Sequence, residues 1–211
     1  TTEIYTLSLH DALPISTTSL PIPPAFDTRA PTIRDLVASK ANLECVDRLG
    51  NTPLMLATKH NSLEDVSLLI KSKAKVDARN TRAASALMMA VMDASGRNRA
   101  LVDRLISAKA SLDKKDQEGR SPLMVAAYHS SNTTVKKLLS ARANVNLSDK
   151  RGNTALLLAA RHGAKHVVKT LLSSKAAVKA KDAEGKTALH WAVRFGDESC
   201  VELLRAAGAK E

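Results

Sequence analysis

The stretch Asp47-Arg48-Leu49-Gly50-Asn51-Thr52-Pro53-Leu54-Met55-Leu56-Ala57 decides the fold, because variants of it begin again at Asn80, Asp116, Asp149 and Asp182. The starts are spaced 33, 36, 33 and 33 residues apart, and each variant runs to a Thr or Ser five places on. A period of that length belongs to stacked supersecondary units, each too small to bury its own apolar surface. Within the unit, Asp followed three places later by Gly supplies a tight turn, since Gly takes positive φ without steric cost. The chain then turns helical. Thr52, Ser85, Ser121, Thr154 and Thr187 stand as N-caps, and Pro53 and Pro122 occupy the first helical position, where no amide donor is needed. A second apolar set, such as Val66, Leu69 and Ile70 or Val167, Val168, Leu171 and Leu172, predicts a second helix with one apolar stripe.

This unit resembles an ankyrin repeat, whose pattern D-x-x-G-x-T-P-L-H-x-A is most nearly met by Asp182-Ala183-Glu184-Gly185-Lys186-Thr187-Ala188-Leu189-His190-Trp191-Ala192. The resemblance implies an all-α solenoid of helix-turn-helix repeats joined by short β-hairpin loops. The expected domain spans 32–211, with a half repeat at 32–46 and repeats at 47–79, 80–115, 116–148, 149–181 and 182–211. In the half repeat, Thr32 is positioned to cap a helix carrying Ile33, Leu36 and Val37.

The resemblance further implies a binding scaffold whose concave groove is lined by hairpin tips and the exposed ends of first helices. Carried over by position, the first repeat contributes Arg48, Leu49, Asn51, Lys59 and His60, and the second Thr81, Arg82, Ala84, Met92 and Asp93. The third contributes Gln117, Glu118, Arg120, Tyr128 and His129. The last two add Lys150, Arg151, Asn153, Arg161, His162, Ala183, Glu184, Lys186, Arg194 and Phe195. Cations outnumber acids in this set, so the expected partner is a protein presenting an acidic segment with a few apolar anchors. Tyr128, Phe195 and the arginines are its expected hot spots.

Two departures from the pattern stand out. The second repeat has Ala83 where the turn expects Gly, three extra residues within Ala94-Ser95-Gly96-Arg97-Asn98-Arg99, and Met88, Met89 and Met92 in its first helix. It is therefore the expected weak link, with repeats three to five the most protected block. Where ankyrin repeats place a left-handed Gly after the second helix, this chain has Lys40, Lys73, Lys109, Arg142 and Lys175, and only Gly208 keeps the pattern. A cation there complements the helix C-terminus, and a row of them can also attract an acidic surface.

The net charge of +11 lies wholly in the repeats, since residues 1–30 hold Arg29 against Glu3, Asp11 and Asp27. An alternative reading is thus a nucleic-acid or anionic-surface binder. It is disfavoured by the scarcity of stacking aromatics, 2% of the chain. A further alternative is the regulatory repeat domain of a larger enzyme. The repeats themselves show no catalytic constellation: no phosphate-binding loop, nucleophile elbow or paired cysteine motif occurs. No cofactor and no metal are expected, because His60, His129 and His162 hold the same position in separate repeats, so even His129 and His162 stand about 10 Å apart, too far to share a zinc ion.

No apolar run reaches the length of a membrane span. Cys45 and Cys200 are separated by most of the stack and are expected to remain unpaired thiols. The reading is a monomeric intracellular protein of cytoplasm or nucleus. Residues 1–15 resemble a translated sequencing adapter and are expected to be foreign to the natural chain, whose true N-terminus would be missing. Residues 16–31, rich in Ser, Thr and Pro, read as a flexible lead-in.

Overall fold

The computed structural model describes residues 32–93 and 97–210. The lead-in at 1–31 and the centre of the second-repeat insertion lie outside the described residues. Eleven α-helices follow one another among the described residues: α1 (Ile33–Ala38), α2 (Pro53–Lys59), α3 (Leu63–Lys71), α4 (Ala86–Met92), α5 (Arg99–Ser107), α6 (Pro122–Tyr128), α7 (Asn132–Ser140), α8 (Ala155–Arg161), α9 (Lys165–Ser173), α10 (Ala188–Arg194) and α11 (Glu198–Ala206). The even-numbered helices pack in one row and the odd-numbered helices in a second, each helix also meeting its partner within the repeat. The β-hairpin character of the loops reduces to isolated bridges, Ser148 with Thr154 and Lys181 with Thr187.

Each first helix starts as its sequence dictates. The hydroxyls of Thr52, Ser85, Ser121, Thr154 and Thr187 accept from the backbone N–H three residues on. Thr32 forms a full capping box with Asp35 at the start of α1. The core is a continuous strip running between the two rows. It takes Leu54, Leu87, Leu123, Leu156 and Leu189 from the first helices, and Val66, Leu101, Val135, Val168 and Leu204 from the second. No repeat closes this strip alone, so stability is a sum of repeat and neighbour terms.

Two hydrogen-bond ladders tie the repeats together outside the core. At the hairpin tips the N–H groups of Thr81, Gln117, Lys150 and Ala183 donate to the carbonyls of Leu49, Arg82, Glu118 and Arg151 in the preceding repeat. Below the second helices, the side chains of Glu44, Asp77, Asp113 and Asn146 accept from the backbone N–H of Lys75, Ser111, Asn144 and Ala177 in the following repeat. The second ladder was not foreseen from the sequence.

Position four of the hairpin must be left-handed for the first ladder to form, and it leaves no room for a side chain. A Cβ on Gly50 would stand 2.9 Å from the Thr81 backbone nitrogen, and one on Gly119 equally close to that of Lys150. Ala83 nevertheless takes φ +58°, and Gln117 still donates to the Arg82 carbonyl at 3.0 Å. The ladder is kept at the expense of local strain, about 1 to 2 kcal/mol for a non-glycine left-handed residue.

The second repeat departs in other ways. Helices α2, α6, α8 and α10 end on a left-handed residue, Asn61, Ser130, Gly163 and Gly196, whereas α4 ends on Asp93 in an extended conformation. The N-cap of α5, Asn98, makes no capping bond, a feature it shares with Ser131 at α7 and Ala164 at α9. The Oδ1 of Asn98 and the Nε of Arg104 are the two buried side-chain atoms without a hydrogen-bond partner among the described residues. Met88 is fully buried and Met89 partly so, while Met92 is exposed. Each feature weakens the same repeat.

Replacing Ala83 by Gly should raise unfolding free energy by about 1 kcal/mol, the relief of left-handed strain less the added chain entropy. Urea denaturation checks this, and no gain would show that the hairpin tolerates Ala without strain.

Candidate functional site

The structure presents most of the expected groove residues to solvent and withdraws some. Arg48, Leu49, Lys59, His60, Arg82, Met92, Tyr128, Lys150, Arg151, Arg161, His162, Arg194 and Phe195 are exposed, while Arg120, His129 and Lys186 are half-buried. Asn51, Ala84 and Asn153, also expected in the groove, are buried. Position five of the hairpin is structural: the Asn51 and Asn153 amides donate to the carboxylates of Asp47 and Asp149, which open the same hairpins. Arg120 occupies that position in the third repeat and is drawn to Asp116 at 2.7 Å and Glu118 at 3.3 Å. It closes its own hairpin.

The other arginines of this face behave differently. Arg48, Arg82, Arg151, Arg161 and Arg194, together with Lys150, form no salt bridge with any described residue. Between them stand exposed apolar side chains: Leu49 at 57% exposure, Met92, Tyr128 at 49% and Phe195 at 55%. Val193, not singled out from the sequence, adds another.

In the last three repeats these groups gather into a connected cluster. The Tyr128 ring lies edge-on to His129 and, at 4.5 Å between centroids, to His162 of the next repeat. The Arg161 guanidinium lies over Trp191 at 4.8 Å and that of Arg194 at 5.4 Å, with Phe195 stacked on the same indole at 6.0 Å. Trp191 is a core residue by exposure, as its place in the helix predicts, yet it also fixes the two arginines by cation–π contact. That second role was not foreseen; it depends on how positions 161, 191 and 194 meet across neighbouring repeats.

Electrostatics reinforce the arrangement. Burial, the Arg161 charge and His129 push His162 below the usual imidazole value, so it is neutral at pH 7. Burial acts to raise Asp182, but hydrogen bonds from the Lys186 backbone, the Trp191 indole and the Glu184 backbone outweigh it and hold the carboxyl below its ordinary range. The indole bond is 2.8 Å long and anchors the ring that carries both arginines. The two cysteines are unpaired, and burial together with Asp197 pushes Cys200 up to about 11, leaving it a protonated thiol rather than a nucleophile. Among the described residues no group of His, Cys, Asp and Glu could hold a metal ion, and no helix is long and apolar enough to cross a membrane.

A stack of helix pairs that displays cations without salt bridges and exposed apolar side chains at hairpin tips and first-helix ends is a repeat-built scaffold. The family model for ankyrin repeats matches in three overlapping copies, at residues 25–116, 87–182 and 123–210, and the chain belongs to the ankyrin repeat family. Ankyrin repeats generally mediate protein–protein interaction. A comparison with curated proteins gave no match.

The sign of the Asp182 effect is testable. A carboxyl whose folded pKa is depressed contributes stability above its unfolded value, about 3.9, and loses it as pH falls through the lower folded value. Asp182→Asn should therefore flatten the acid limb of the stability curve, read from Trp191 fluorescence in urea between pH 7 and pH 3. An unchanged limb would show that the hydrogen bonds from Lys186, Trp191 and Glu184 do not together hold the carboxyl below its ordinary range.

Proposed function

We propose that the chain is a non-catalytic interaction module that binds a partner protein through an acidic segment laid across the hairpin tips and first-helix ends. The observation that supports this most directly is the set of unpaired cations Arg48, Arg82, Lys150, Arg151, Arg161 and Arg194, sharing those positions with Leu49, Met92, Tyr128 and Phe195. An unpaired guanidinium matches a carboxylate in a bidentate fork. The apolar groups supply the desolvated anchors that carry most of the affinity in protein interfaces. Arg161 and Arg194 are pre-positioned on the Trp191 ring, which lowers the ordering cost on binding.

A second reading rests on a separate observation. Lys40, Lys73, Lys109, Arg142 and Lys175 all take positive φ, are exposed and bind no described residue through their side chains. Such a row suits a polyanion or an acidic surface, and its binding would weaken steeply with salt.

Selection from a random peptide display library at physiological salt should yield acidic peptides with aromatic or aliphatic anchors. The double change Arg151→Glu with Arg161→Glu should weaken them about tenfold or more, with circular dichroism unchanged. Neutral peptides, or acidic ones indifferent to the double change, would contradict the groove assignment. Strong binding of duplex DNA that vanishes between low and physiological salt would favour the second reading.

A further inference from the structure

The second-helix row, on the side of the stack away from the first helices, contains a cleft of about 490 Å³ between α3 and α5. Leu63, Ser67 and Lys71 line it from α3, and Asp103, Arg104 and Ser107 from α5. Arg104 is the residue to explain. Its Nε is buried without a hydrogen-bond partner, and the rest of its guanidinium bonds no described residue.

Comparison along the row shows why. Arg104 is the sixth residue of its helix, and its counterparts in the next two second helices are Lys137 and Thr170. Both reach back to the preceding repeat. Lys137 pairs with Asp103 and donates to the Arg99 carbonyl; the Thr170 hydroxyl bonds the Asn132 side chain at 2.8 Å. The residues that Arg104 meets at the equivalent places in α3 are Ser67 and Leu63. Neither is a carboxylate or an amide, and Ser67 makes no side-chain bond. The Arg104 guanidinium thus lines the cleft without an acceptor from the preceding repeat. Lys71 and Ser107, likewise without side-chain partners, stand on the same cleft, and Asp103 is neutralised by Lys137.

We propose that this cleft is a second binding site, which takes a phosphate monoester carried on a serine or threonine side chain of a partner segment. The donors exceed what one carboxylate can use: a guanidinium fork, an ammonium and two hydroxyls. A phosphate monoester offers three strong acceptor oxygens and close to two negative charges at pH 7. The volume exceeds that of a lone phosphate and leaves space for the residue that bears it. Leu63, 43% exposed, provides an apolar contact for that residue; α5, α7, α9 and α11 carry Arg99, Asn132, Lys165 and Glu198 at the same first position. This site is independent of the groove reading.

The test is a titration of the full chain, followed by ¹H–¹⁵N spectra that include the arginine Nε–H region. The probes are N-acetyl-O-phosphoserine methylamide, N-acetylglutamate methylamide and inorganic phosphate. Saturable shifts are expected at Arg104 Nε–H and at the Ser67 and Ser107 amides, with the phosphoserine amide binding tightest. Lys71→Gln, at an exposed position, should weaken it about tenfold, as should Arg104→Gln, while Arg142→Gln and the groove variant Arg151→Glu leave it unchanged. Equal binding of the glutamate amide would overturn the assignment to a monoester, and equal binding of inorganic phosphate would overturn the assignment to a carried group. Loss of response in Arg142→Gln as large as in Lys71→Gln would show delocalised attraction and overturn the site.

Discussion

The structure depends on one backbone hydrogen bond repeated at each hairpin, from the second residue's N–H to the third residue's carbonyl in the preceding repeat. It sets the rise and register of the stack, because the hairpin backbones must approach until a Cβ at position four has almost no space. Gly50 and Gly119 satisfy both demands, positive φ and close approach, with one residue type. That Ala83 is forced into the same conformation, with its neighbour's bond intact, shows which term wins. One or two kcal/mol of local strain is accepted where losing the bond would break continuity between neighbours, whose interfaces add to the repeats' own stability in a solenoid.

A similar balance recurs after the second helices. The N–H of each left-handed cation, as at Lys73 and Lys109, bonds a carbonyl of the last helical turn, and the following Ala reaches one residue further back. Gly would fill this motif without strain. Five cations in its place cost strain in the half repeat and the first four repeats, while Gly208 spares the last; the cost is partly offset by attraction to the helix C-terminus. The same substitution places an unpaired charge on the surface once per repeat. A local rule broken five times out of six, with a common sign of charge, is the pattern expected where surface chemistry outweighs stability.

Much of this was legible in the sequence because the period fixes everything that is local. Caps at Thr52 or Ser121, the half repeat capped by Thr32, the late resumption of apolar spacing at Leu101 and the anomalous turn at Ala83 all follow from residue type and offset. What escaped depends on neighbours one repeat away. Asn51 and Asn153 read as polar loop residues facing a ligand, yet each turns inward to satisfy the aspartate that opens its hairpin. Asp77 and Asp113 were not singled out, yet they accept bonds from the next repeat. Arg104 matched the polar side of an amphipathic helix, and only its register against Ser67 and Leu63 shows that its acceptor is missing. Of the expected groove residues, most are exposed as their positions implied; the clustering of Arg161, Arg194 and Phe195 on Trp191 was not foreseen.

The central claim is that stability is passed between neighbouring repeats and is lowest in the second, where turn strain, an α4 that ends on an extended residue and two orphaned buried polar atoms coincide. Native-state hydrogen exchange measures this residue by residue. The account predicts faster exchange across residues 85–106 than across 154–172, with protection highest in α8 and α9. Slower exchange in 85–106, or one uniform opening energy along the stack, would contradict it.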